Sequence, residues 1–218
     1  MTTTDVLALP AGTGSRSATA AAVRLVRLHL ISRRAPSALA ALAACAAVLW
    51  AALEWHWNRG NADAMLELAA LLEAGTGAVI AVTTYSPFGE SERATGRWLP
   101  WLRLGTVVAL TVLAVGLLAA GASPGGLPGG VTEVVRNVAG VTGLGLLTAA
   151  VIGGGLAWAG PLTYLVIAEV ALMQGWTSPW TWPARPPHDR GAAICAGLVF
   201  AAGIVITVVR GPRTTLSD

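Results

Sequence analysis

Between Arg190 and Arg210 the chain reads Gly191-Ala192-Ala193-Ile194-Cys195-Ala196-Gly197-Leu198-Val199-Phe200-Ala201-Ala202-Gly203-Ile204-Val205-Ile206-Thr207-Val208-Val209, nineteen residues without a charge. A helix needs about 20 apolar residues to cross roughly 30 Å of hydrocarbon, so this run has the length of a membrane span. Its two flanking arginines fall where headgroups would lie. Working outward, the same pattern recurs. Residues 37–53 and 104–121 are apolar runs of similar length, and 65–85 is a third that carries Glu67 and Glu73 inside it. Residues 138–173 are too long for one span, but Gly153-Gly154-Gly155 followed by Pro161 divides them. The reading is all-α and polytopic, with six transmembrane helices over about 37–57, 64–85, 104–121, 134–152, 156–174 and 191–209.

Composition agrees with that division. Of the 218 residues 55% are apolar and only 11% charged, against roughly 25% charged in soluble proteins. A soluble catalytic domain is excluded on this ground. All fourteen basic residues are arginine, for a formal charge of +3, and the sequence pI is about 9.5. The basic balance does not point to nucleic acid, because the arginines cluster in short connections between apolar runs. An arginine excess on short loops marks the cytoplasmic side. Ten of the fourteen arginines lie before the first span, between the second and third, or after the sixth; Arg59, Arg136, Arg185 and Arg190 lie on the opposite side. Both termini are therefore expected in the cytoplasm and the chain in the cytoplasmic membrane. Trp55, Trp57, Trp98, Trp101, Trp176, Trp180 and Trp182 all fall at predicted span ends, where indoles prefer the headgroup layer.

Residues 1–18 read as a disordered tail and 211–218 as a short cytoplasmic one. Over 19–35 the spacing predicts an amphipathic helix in the interface, with Arg24, Arg27 and Arg34 meeting anionic headgroups. Ser32-Arg33-Arg34 ahead of Leu42-Ala43-Ala44-Cys45 imitates a twin-arginine lipoprotein signal. Ala46 to Leu53 continues the same apolar run, which instead makes Cys45 a small buried thiol. Cys45 and Cys195 both sit inside apolar runs and form no disulfide framework or zinc spacing.

The connection between the second and third spans, 85–103, is the richest in signals. Ser86-Pro87 is a helix start, a capping hydroxyl followed by a residue whose missing N–H is not needed in the first turn. Glu90 and Glu92 lie near that end and Arg93 and Arg97 beyond them, complementing the helix dipole. Pro100 is read as the stop. The result is a short polar helix over 86–100, stiffly joined to two spans.

Glu92-Arg93-Ala94-Thr95-Gly96 resembles the Glu-Arg-x-x-Gly signature that follows the second span in type-2 (exporter) permeases of ATP-binding-cassette transporters, with Leu99-Pro100 similar to the leucine and proline beyond it. The resemblance implies that 86–100 is a coupling helix docking in a cleft of a separate ATPase subunit through Phe88, Glu90, Glu92, Arg93, Gly96 and Arg97. It also implies a homodimer or a heterodimer with a second permease, and short re-entrant elements before the sixth span. No Gly-x-x-x-x-Gly-Lys-Ser/Thr phosphate loop occurs, and the chain contains no lysine. ATP would be bound by the partner, and the chain itself would be neither enzyme nor cofactor carrier. This chain is short for the family and compressed between Gly96 and the third span.

An ionisable group at membrane depth is a functional hypothesis by default. Glu73 lies about 12 Å inside its span at 1.5 Å per residue and is the first candidate for the translocation path, with Glu169 a shallower one. A structural hydrogen bond to a neighbouring span would explain Glu73 equally well. Gly75, Gly77, Gly140, Gly143, Gly145, Gly197 and Ala201 offer small faces for helix packing. Glu54, His56, His188 and Asp189 share one predicted face without metal-ligand spacing, and no metal is expected. Intramembrane proteolysis is excluded for want of paired histidines and a carboxylate within the spans. A stand-alone secondary transporter coupled through Glu73, or an accessory membrane protein, are the alternatives to the permease.

Overall fold

A computed structural model describes residues 35–54, 62–84, 99–122, 130–176 and 178–210. The expected interfacial helix over 19–35 and coupling helix over 86–100 therefore lie almost wholly outside the described residues, as do both tails. Among the described residues the fold is all-helical: α1 Ala35–Glu54, α2 Ala62–Thr83, α3 Leu99–Gly121, α4 Gly130–Ile152, α5 Ala159–Met173 and α6 Arg190–Val209. Single 3₁₀ turns at Gly154–Leu156 and Trp182–Ala184 precede α5 and α6. Counting the first of these turns with α5, six segments are long and apolar enough to cross a membrane. By length and composition this is a multi-pass membrane protein.

The helix α4 is the axis. Over half of its span is buried, 56%, against 22% for α6 and 28% for α1, whose remaining faces are apolar and turned outward. Around it pack α2, α3, α5 and α6, with Leu42, Leu49, Ile80, Leu110, Leu118, Val134, Val138 and Leu146 forming the main core. Lipid tails are as apolar as leucine, so close backbone approach must supply much of the cohesion. The α4–α6 contact shows it: a Cβ added at Gly203 would lie 2.7 Å from the carbonyl oxygen of Gly143, and one at Gly143 2.6 Å from the backbone of Phe200. Gly77 approaches α4 in the same way, at Val141 and Thr142, whereas Gly75 and Gly197 face open space. Several threonine hydroxyls inside the spans are satisfied on their own helices, as Thr76 on the Glu73 carbonyl at 2.7 Å and Thr111 on Val107 at 2.8 Å, whereas the buried Thr142 hydroxyl of α4 has no partner among the described residues.

Several boundaries differ from the sequence reading for stated physical reasons. Pro100, read as a stop, stands in the first turn of α3, where no donor is required. Gly130, at φ +62°, opens α4 four residues before the expected start at 134. The Gly153 φ of 107° ends that helix, and Pro161 sits in the first turn of α5. Cys45 is half-buried in the middle of the continuous helix α1, as a small thiol would be. Trp182 was expected among the headgroups, but it is buried, 2% exposed.

A Gly203→Leu substitution should push α4 and α6 apart and destabilise the protein by about 2 kcal/mol or more. Gly197→Leu, on the same helix but facing open space, should leave stability within error in the same detergent unfolding assay.

Candidate functional site

Glu133, Arg136, Asn137 and Gly140 stand at i, i+3, i+4 and i+7 along α4, so they occupy one helix face. That face meets α2 and the connection 174–189. Arg136 is buried, 4% exposed, among apolar helices, and an arginine there must have its donors filled. Its Nε donates to Asn137 Oδ1 at 3.1 Å, Nη1 to the Pro186 carbonyl at 2.7 Å and Nη2 to the Arg185 carbonyl at 3.1 Å. Glu133 Oε1 lies 3.9 Å from Nη2 and supplies opposite charge. Arg136, counted by sequence among the loop arginines, is thus a span residue that clamps a loop.

Asn137 passes the interaction on. With its oxygen facing the guanidinium, its Nδ2 donates to Glu73 Oε2 on α2 at 2.8 Å. Glu73 is itself buried, 5% exposed. Its other oxygen, Oε1, has no hydrogen-bond partner among the described residues. The expected structural hydrogen bond of Glu73 is therefore present, and half of the carboxylate is left over.

The loop is shaped to meet the clamp. Proline-rich sequence prevents a long helix, and the 3₁₀ turn Trp182–Ala184 lowers an indole onto α4. Gly140 makes the space: a Cβ there would lie 2.6 Å from the Trp182 ring. Tyr164 of α5 stacks on Trp182 with ring centroids 4.5 Å apart, and its hydroxyl donates to the Trp180 carbonyl at 2.6 Å. Trp182 leaves the headgroup layer because this glycine–tyrosine slot buries it.

The loop ends on a helix cap. Asp189 Oδ1 accepts from the Ala192 N–H at 3.0 Å at the start of α6, and Oδ2 accepts from Arg185 Nε at 2.7 Å. The backbone donor, then the arginine, holds the Asp189 carboxyl below the ordinary carboxylate range.

Between α2, α4, α5 and this loop lies a cavity of about 370 Å³. Its carboxylates are Glu67 and Glu73 of α2, Glu133 of α4 and Glu169 of α5; Leu66, Ala69, Ala168, Leu172 and Pro183 are among its apolar walls. The two sequence candidates for the path, Glu73 and Glu169, share this cavity. Glu133, Arg136 and Asn137 were not singled out by sequence: Glu133 falls one residue before the span read over 134–152, and Arg136, inside that span, was counted with the arginines of the outer side. Their i, i+3, i+4 spacing was the available signal. The coupling residues Phe88, Glu90, Glu92, Arg93, Gly96 and Arg97 lie outside the described residues, as does His56. Among the described residues no three His, Cys, Asp or Glu side chains converge closely enough to hold a metal ion. Compared with protein families, with curated proteins and with solved structures, the chain matches none.

Two outcomes are expected. In a double-mutant cycle, Glu73→Ala and Asn137→Ala should couple by about 1 kcal/mol or more in detergent unfolding, because each leaves the other's buried group short of a partner. Independent effects would contradict the contact. Since the folded-state pKa of Asp189 is depressed, its contribution is present above the unfolded-state value near pH 4 and lost as pH falls through the lower folded value. Hydrogen exchange at the Ala192 amide should stay protected from neutral pH down past the usual Asp range, and Asp189→Ala should remove that protection at every pH.

Proposed function

We propose that this chain is the membrane permease subunit of an ATP-binding-cassette exporter, driven by a separate ATPase and working as a dimer in the cytoplasmic membrane. The observation that carries the reading is the placement of Glu92-Arg93-Ala94-Thr95-Gly96 on the connection between the second and third of six span-length helices. That is where exporter permeases of this kind carry the segment that meets the ATPase. Support also comes from the bundle: two spans that leave this connection, α2 and α3, both reach the packed core, and α2 carries Glu73 toward α4. A force applied at the connection has a stiff route to the cavity. Two ATPase subunits closing on ATP would move the two coupling segments, and the spans would exchange inward-open for outward-open arrangements.

A proton-coupled transporter working alone is the second reading. It is favoured by the leftover oxygen of Glu73, a carboxylate at membrane depth with spare capacity. Energy source separates the two: export sustained by ATP in the absence of a proton gradient supports the permease, and export that requires the gradient alone supports the other.

The permease reading predicts that an ATP-binding-cassette subunit co-purifies with the tagged chain. Glu92→Ala with Arg93→Ala should lower transport per ATP hydrolysed by about tenfold or more, the scale of losing a docked charge pair. The variant should elute and unfold like the parent. Full coupling in that variant, or no ATPase partner, contradicts the assignment.

A further inference from the structure

The cavity between α2, α4, α5 and the 183–187 segment has more negative charge than its surroundings neutralise. Glu133 faces Arg136 at 3.9 Å. Arg136 in turn spends its other donors on Asn137 and on two backbone carbonyls. Arg185 also lines the cavity, but its guanidinium is engaged by Asp189. Glu67 and Glu169 therefore have no cationic partner among the described residues, and Glu73, though attracted to Arg136, meets it only across the Asn137 amide. Glu67 and Glu169 are near enough to repel one another, as are Glu73 and Glu133. The second observation is independent of this crowding: Glu73 is 5% exposed, lines the cavity, and keeps Oε1 unpartnered. An oxygen left over on a carboxylate that lines a cavity at membrane depth is placed to meet a charge that enters it.

We propose that this cavity binds an organic cation, an ammonium or phosphonium centre carried on an apolar body. Size supports an organic ligand, because about 370 Å³ falls within the usual range for small-molecule pockets. The walls are mainly alanine, leucine and proline, which suit an apolar body. The carboxylates come from three helices and do not gather tightly enough for a metal ion, which suits a large, diffuse charge. A zwitterionic phospholipid fits less well, since its phosphate would meet the same carboxylates. Recognition divides cleanly: Glu73 faces the charge from the buried side, Glu67 and Glu169 compensate it from α2 and α5, and Asn137 fixes the Glu73 carboxylate. As the substrate class of the exporter this rests on the permease reading, but binding itself does not require the ATPase.

The test uses the full chain in detergent, without any ATPase, and tetraphenylphosphonium as the probe, with binding followed by equilibrium dialysis. Failure of binding is thereby distinct from failure of coupling. Saturable binding is expected, with the neutral triphenylphosphine oxide competing at least about tenfold more weakly. Glu73→Gln keeps an oxygen for Asn137 and so should fold, yet it should weaken binding by about tenfold or more. Glu67→Gln with Glu169→Gln, at positions less buried than Glu73, should weaken it as well. Absence of saturable binding, equal competition by the neutral compound, or unchanged affinity in both folded variants overturns the proposal.

Discussion

One arginine side chain inside the helical bundle sets the constraint that the rest of the structure meets. A guanidinium with five donors cannot be left among apolar helices without partners, since each unfilled donor costs on the order of 1 kcal/mol or more. Arg136 answers this by reaching out of α4 to the carbonyls of Arg185 and Pro186 and along α4 to Asn137. The loop must then lie down on the bundle. Its proline content makes that possible, because a segment with few N–H donors and no helix leaves carbonyls free to be used. Trp182 follows the loop inward and fills the slot above Gly140. Asp189 finishes the segment by capping α6. Thus one charged group joins α2, α4, the loop and the sixth span in a single polar relay.

The relay also explains why the cavity is acidic. Arg136 is the one positive side chain buried beside it among the described residues, and backbone carbonyls take much of its hydrogen-bonding capacity. What remains is shared between Glu133 and, through Asn137, Glu73. Glu67 and Glu169 are left without compensation from that source. In water such a surplus would be screened. Between helices it is screened less, and the site favours a positive charge that can enter it.

Much of this architecture was legible in the sequence, and what escaped notice has a common cause. Apolar run length located the helices: the stretch flanked by Arg190 and Arg210 is α6, and the triple glycine at 153–155 does separate α4 from α5. Run length fails where a helix buries a polar face. Glu133 falls just outside the span read over 134–152 and Arg136 was counted with the outer-side arginines, although the spacing of three and four already placed Glu133, Arg136 and Asn137 on one side of a helix. Pro100 was misread for a related reason, since a proline marks a helix start as readily as a stop and only the following run distinguishes them. Trp182 followed the rule for indoles at span ends until Gly140 offered a place inside. Glu73 was legible because carboxylates are rare in the spans, but its partner on α4 was not, because pairing between helices leaves no mark on either one alone.

The central claim is that Asn137 bridges Glu73 and Arg136 within the bundle, and that Arg136 thereby holds the loop over an acidic cavity. The most direct measurement is an electron cryomicroscopy structure of the chain in a lipid nanodisc, with side-chain density for α2, α4 and residues 183–187. The account predicts the Asn137 amide between the Glu73 carboxylate and the Arg136 guanidinium, with the guanidinium on the Arg185 and Pro186 carbonyls. Density showing Glu73 turned to lipid, or Arg136 extended into water with the loop lifted away, would contradict it.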